Sequence, residues 1–192
     1  LRVTLNPARG TVASIVDLRT GREYRAARAD RELGQYLYER FDADQTAAML
    51  RSYGKLAVAW FTAEFGKPCL PPASRAPHRI VSPRDFALRL ERSAVAVSAV
   101  MTATAGGGVP HAVTTRVTLF RDQPWLEVET TLHDKPADPW PEAGWLCLPV
   151  KVEQPRFRLG RQASIVDPAR DIVAGANRHL QAVNTGFSIT GA

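Results

Sequence analysis

The sequence predicts a mainly β fold, an antiparallel sandwich with one short helical insertion near residues 42–65. Three observations carry that expectation. Apolar and polar residues alternate with the period of two of a half-buried strand over much of the chain. Turn-forming clusters, of which Gly106, Gly107, Gly108 and Pro110 make the densest, separate the alternating runs. Apolar residues at helical spacing are confined to one stretch, which argues against an alternating α/β arrangement.

Taken in order, Leu1, Val3 and Leu5 alternate with Arg2 and Thr4, so a strand opens the chain, and Pro7 and Gly10 supply a turn. Residues 11–18 read as a second strand closed by Thr20 and Gly21, which makes the two an opening hairpin. From Gly34 to residue 65 the pattern changes. Ala47, Leu50, Leu56, Trp60 and Phe61 recur at helical spacing, with Asp42 or Asp44 as the N-cap carboxylate. One or two helices fit there, Gly54 being the natural divider. Gly66, Pro68, Pro71, Pro72 and Pro77 then form a loop, because proline has no amide hydrogen to give to a helix or a central strand.

Beyond the loop, Phe86, Leu88 and Leu90 alternate with Ala87, Arg89 and Glu91, and a β-branched run follows from Val95 to residue 101. Val113, Thr115, Val117 and Leu119 face one way on the next strand, as do Leu126, Val128, Thr130 and Leu132 on the one after it. The expectation is an antiparallel meander. A proline-rich loop over residues 135–141, an apolar segment over residues 145–150 and further short strands complete the chain.

Hydrophobic residues at 45% and charged residues at 23% match a folded domain and exclude a disordered one. The formal charge of +6 is almost all arginine, spread from Arg2 to Arg178 between acidic neighbours. Dispersed charge makes a solvated surface, so no nucleic-acid partner is expected. The arginine bias fits a bacterial source of GC-rich coding sequence. No apolar run approaches the roughly 18–20 residues that span a bilayer, so a soluble chain without a membrane partner is expected. Cys69 and Cys147 lack metal-type or disulfide-framework spacing and leave the compartment open. Both ends read as cuts, so residues 1–192 are expected to be a single β-sandwich module of a larger chain.

The sharpest constellation lies after Pro124, where Trp125, Glu127, Glu129, Thr131 and His133 share one face of a strand. Glu127, Glu129 and His133 together could supply acid and base to a mutarotase-like sugar epimerase. The same spacing also describes the solvent side of a strand whose other face is core. His78, His111, His133 and His179 are scattered singly, so no metal site is expected in the chain. No serine elbow or phosphate loop is present, and no catalytic residue is assigned. Of Trp60, Trp125, Trp140 and Trp145, the one in the proline-rich loop, Trp140, is expected to be the most exposed.

Four strings, in order along the chain, together resemble the glycoside hydrolase family 38, the α-mannosidases, and a bacterial branch of it in particular. They are LNPARGTVASIVDLRTG at residues 5–21, FGKPCL at residues 65–70, PEAGWLCLPV at residues 141–150, and residues 159–183. In the last, Asp167, Pro168, Ile172, Val173, Asn177, Arg178, His179, Leu180, Ala182 and Val183 fit the family pattern, whereas Ala176 and Gln181 depart from it. The resemblance implies a supersandwich of the galactose mutarotase-like type that packs on an N-terminal catalytic barrel of the same chain. Zinc and the nucleophile would reside in that barrel, so no cofactor is expected in this module. By position, the resemblance makes Asn177, Arg178 and His179 the candidate loop for contact with a carbohydrate. The module would then be non-catalytic. An autonomous carbohydrate-binding module is the alternative from another class.

Overall fold

The computed structural model describes residues 1–26, 30–53, 77–176 and 181–191. Alternation at the start of the chain makes a hairpin, as the sequence predicts: β1 (Arg2–Asn6) pairs antiparallel with β2 (Thr11–Val16). Thr4 faces Ser14 but Leu5 faces Val12, so Ala13 is the extra residue of a bulge. The turn requires glycine at position 10, where φ is +64° and a Cβ would sit 2.5 Å from the ring of Phe86.

The next element corrects the sequence reading. Residues 35–40 fall in the stretch read by its helical spacing, yet they form a strand, β3 (Gln35–Arg40). Its two faces are both largely buried, Tyr36 and Tyr38 on one and Gln35 and Glu39 on the other, so the strand shows no apolar-to-polar contrast. The helix, α1 (Ala43–Tyr53), starts where a cap was expected. Asp42 is that cap: its Oδ1 accepts the Gln45 amide at 2.9 Å, and Oδ2 accepts the amide of His78 at 2.9 Å. These amide bonds, Gln45 foremost, hold the Asp42 carboxyl below the usual range. The remainder of the expected insertion, with Gly54, Trp60 and most of the proline loop, lies outside the described residues.

β4 (Arg79–Val81) pairs with one side of β3 and, later in the chain, β9 (Glu142–Cys147) with the other, giving an antiparallel sheet in the order β4-β3-β9. Between them runs the expected meander. β5 (Ala87–Arg92), β6 (Ala96–Ala103), β7 (Ala112–Phe120) and β8 (Leu126–His133) form one sheet in sequence order. The loop joining β6 to β7 contains a tight turn in which Gly106 and Val109 exchange backbone bonds and Gly107 and Gly108 take φ of +58° and +92°. Those angles make a type I′ turn, which glycine adopts without strain.

The apolar face of the meander closes the core. Met101, Val113 and Val117 join Val12 and Ile15 of β2 and Tyr36 and Tyr38 of β3 in one buried cluster, sheet against sheet in a sandwich-like arrangement. Met101 and Val113 are completely buried, each burial being worth about 1.5–3 kcal/mol.

The chain divides into two compact units, Leu1–Pro149 and Val150–Ala192. In the second, β10 (Arg156–Arg161) lies between β11 (Ser164–Val166) and β12 (Gly186–Thr190), all antiparallel. Asp167 organises the turn after β11. Its carboxylate accepts from the Arg158 guanidinium and the Ala169 amide. No helix among the described residues is long and apolar enough to cross a membrane.

Candidate functional site

Alternation places Glu127, Glu129, Thr131 and His133 on one face of β8, as the sequence predicts. Glu127, Glu129 and His133 are exposed. Register sets Glu127 opposite Thr118, Glu129 opposite Arg116 and Thr131 opposite Thr114 on β7, so that face of the sheet is a lattice of small polar and charged side chains. His133 Nε2 lies 2.8 Å from the Thr114 hydroxyl, which is itself 3.2 Å from that of Thr102. Arg116 turns the other way, to Glu91 on β5 at 2.6 Å. Asn177, Arg178 and His179 lie outside the described residues.

Within Leu1–Pro149 the structure assembles two polar groupings that sequence reasoning did not find. The first surrounds His111. This imidazole, 2% exposed, sits edge-on to the rings of Tyr36 and Tyr38, each 5.7 Å away, with Nε2 3.1 Å from the Tyr36 hydroxyl. Its Nδ1 is buried without a hydrogen-bond partner. The Tyr38 hydroxyl donates to Glu142 Oε1 at 2.5 Å, and Lys135 donates to Oε2 at 2.6 Å. Burial, reinforced by the nearby Lys135 charge and only partly offset by Glu142, holds the His111 imidazole below its ordinary value. Burial together with the bond to Glu142 pushes the Tyr38 phenol up to about 12. The grouping is an interlocked hydrogen-bonded cluster that ties β3, β9 and the loops before β7 and after β8.

The second grouping lies on the opposite face of the same sheet and is centred on Glu39. Its Oε1 is 2.7 Å from His78 Nε2, and its Oε2 accepts the indole N–H of Trp145 at 2.7 Å. His78 in turn stacks on Phe41 with ring centroids 5.9 Å apart. Trp145 is nevertheless 45% exposed, while Trp140, expected to be the exposed one, is 6% exposed. Trp140 is drawn inward because its loop is fastened, its own amide bonding to Asp138, which also pairs with Arg40 at 2.8 Å.

Beside Trp145 opens a groove of about 700 Å³. Leu37, which lines it, is the cross-strand partner of Trp145, so the groove and the indole adjoin on one face. Arg9, Arg84 and Asp85 line it without an ion-pair partner among the described residues, whereas Arg31 pairs with Asp30 at 3.7 Å. The groove is well built where it meets the first hairpin. Asp85, at φ +57°, and Phe86 donate their amides to the carbonyls of Ala8 and Pro7.

No group of three or more His, Cys, Asp or Glu side chains among the described residues is arranged to hold a metal ion. The Cys147 thiol is free, and burial pushes it up, away from the thiolate a nucleophile needs. What the Glu39 grouping presents is an oriented aromatic ring beside hydrogen-bond donors and acceptors. No protein-family model, curated protein or solved structure matches the chain.

Proposed function

We propose that the chain is a non-catalytic β-sandwich module, of galactose mutarotase-like type, from a family 38-like glycoside hydrolase. Its work is to pack against a catalytic barrel of the same chain and complete the surroundings of the sugar site. One observation carries the reading: four strings that resemble the family occur in the family's order along the sequence. Its support in the fold is the position of those strings. Residues 5–21 contain the end of β1, the hairpin turn and all of β2, and residues 141–150 contain β9, the partner of β3. Both are framework, which suits a scaffold better than a reaction centre. The zinc and the nucleophile of such an enzyme would belong to the barrel, and Asn177, Arg178 and His179 remain the loop proposed to reach the sugar.

The test begins with the coding region ahead of Leu1. An in-frame barrel carrying an HxD metal motif and a catalytic Asp is expected. The intact chain should then hydrolyse an aryl α-mannoside and lose that activity when residues 1–192 are deleted, while the 192-residue chain alone stays inactive. A start codon immediately ahead of Leu1 would overturn the reading. So would an intact chain that hydrolyses equally well without these residues.

A carbohydrate-binding role in isolation is the second reading. The half-exposed Trp145, held by Glu39, favours it.

A further inference from the structure

We infer that the outer face of the β4-β3-β9 sheet is a binding site for a neutral hexopyranoside, the Trp145 ring stacking on its C–H face and the adjoining groove taking its hydroxyls. The choice of a sugar rests on the reading that the chain serves a carbohydrate-active protein. The geometry of the site stands apart from that reading.

Three features argue for it. First, Trp145 is exposed and already oriented. Glu39 holds the indole N–H at 2.7 Å and is itself held by His78 at the same distance, so the ring is oriented before any ligand binds. A fixed, exposed aromatic plane is what the apolar C–H face of a pyranose matches. Second, the groove beside it offers Arg84, a donor, next to Asp85, an acceptor, neither engaged in an ion pair among the described residues. Adjacent sugar hydroxyls, each both donor and acceptor, satisfy such a pair. Mixed charge also suits a neutral polyol better than a phosphate or a polyanion, which an undiluted arginine cluster would prefer. Third, the wall is rigid. The amides of Asp85 and Phe86 are bonded to the first hairpin, and Phe86 is packed beneath Gly10. The volume of about 700 Å³ lies within the roughly 300–1,000 Å³ usual for small-molecule sites and accommodates a disaccharide.

The test is ¹H–¹⁵N NMR titration of the 192-residue chain with α-mannobiose, cellobiose and lactose. The Trp145 indole signal is assigned by its loss in Trp145→Phe. At least one sugar should shift that signal together with the amides of Leu37, Arg84 and Asp85, saturating at about 10 mM or below. Trp145→Ala should weaken binding at least about tenfold, and Trp125→Ala, which removes a ring exposed on the other sheet, should not. Should Trp145→Ala fail to fold, Arg84→Ala removes an exposed side chain with no ion pair and should still weaken binding several-fold. No shift with any of the three sugars overturns the site, as do shifts confined to other faces. Failure here alongside a mannosidase barrel encoded upstream would remove the site and leave the module reading intact. Binding here with no such barrel would keep the site and retire that reading.

Discussion

The Tyr36 hydroxyl and His111 Nε2 stand 3.1 Å apart in the buried interior, joining β3 to a loop 75 residues away. The contact fixes one ring nitrogen and leaves Nδ1 buried and unpartnered. An imidazole in that position is stable only while neutral, since protonation would put an unpaired charge where water does not reach.

A pH dependence follows from the depressed His111. Its folded value lies below 6.5, so as pH falls through 6.5 the unfolded chain takes up the proton first and stability declines until the folded imidazole also titrates. Calorimetry from pH 7.5 to 5.5 should show a falling Tm in the wild type and a flatter profile in His111→Phe. That variant should itself be less stable by about 1–3 kcal/mol, because the Tyr36 hydroxyl loses its partner. An unchanged slope in the variant would remove His111 as the source.

Tyrosine ionisation should be heterogeneous. Tyr38, pushed up to about 12, and Tyr36, raised mainly by burial, should stay protonated after ordinary phenols have lost their protons near pH 10. The folded state holds these protons more tightly than the unfolded one, so their stabilisation is full below pH 10 and is lost as pH rises toward 12. Absorbance at 295 nm should rise in two steps. Tyr38→Phe should diminish the later one and lower stability by about 1–3 kcal/mol, since it withdraws a donor from Glu142.

Two glycines with similar backbone angles should respond differently to alanine. Gly10→Ala places a Cβ 2.5 Å from the Phe86 ring at φ +64°, and a loss of about 3 kcal/mol or more is expected. Gly21→Ala meets open space at φ +70° and should lose about 1 kcal/mol. Equal losses in urea unfolding would mean that Phe86 yields freely.

The exposed carboxylates of β8 should contribute little to stability. Glu127→Gln and Glu129→Gln sit on the polar face of the meander and should each alter stability by no more than about 0.5 kcal/mol. The epimerase reading of Glu127, Glu129 and His133 is tested separately, by polarimetry of aldose mutarotation. Acceleration by the chain that both variants abolish would establish it.

Some elements declare themselves locally. The alternation of Val113, Thr115 and Val117, the glycines at 107 and 108 and the cap at Asp42 each depend on residues within a few positions, so sequence alone determined the meander, its hairpin turn and the start of the helix. β3 escaped because a strand buried on both faces has no amphipathic period to read, and its polar residues are accommodated by partners far along the chain. The sites escaped for the same reason. Trp145 meets Glu39 across 106 positions, Tyr38 meets Glu142 across 104, and the loop position that marks Trp140 as the exposed tryptophan misleads, because pairing of β9 with β3 leaves Trp145 half-exposed while a fastened loop buries Trp140. Periodicity and turn chemistry act between neighbours in the chain and are written there. Which side chains share a carboxylate, a ring face or a groove is decided by strand pairing, which brings together residues whose identities carry no mark of each other.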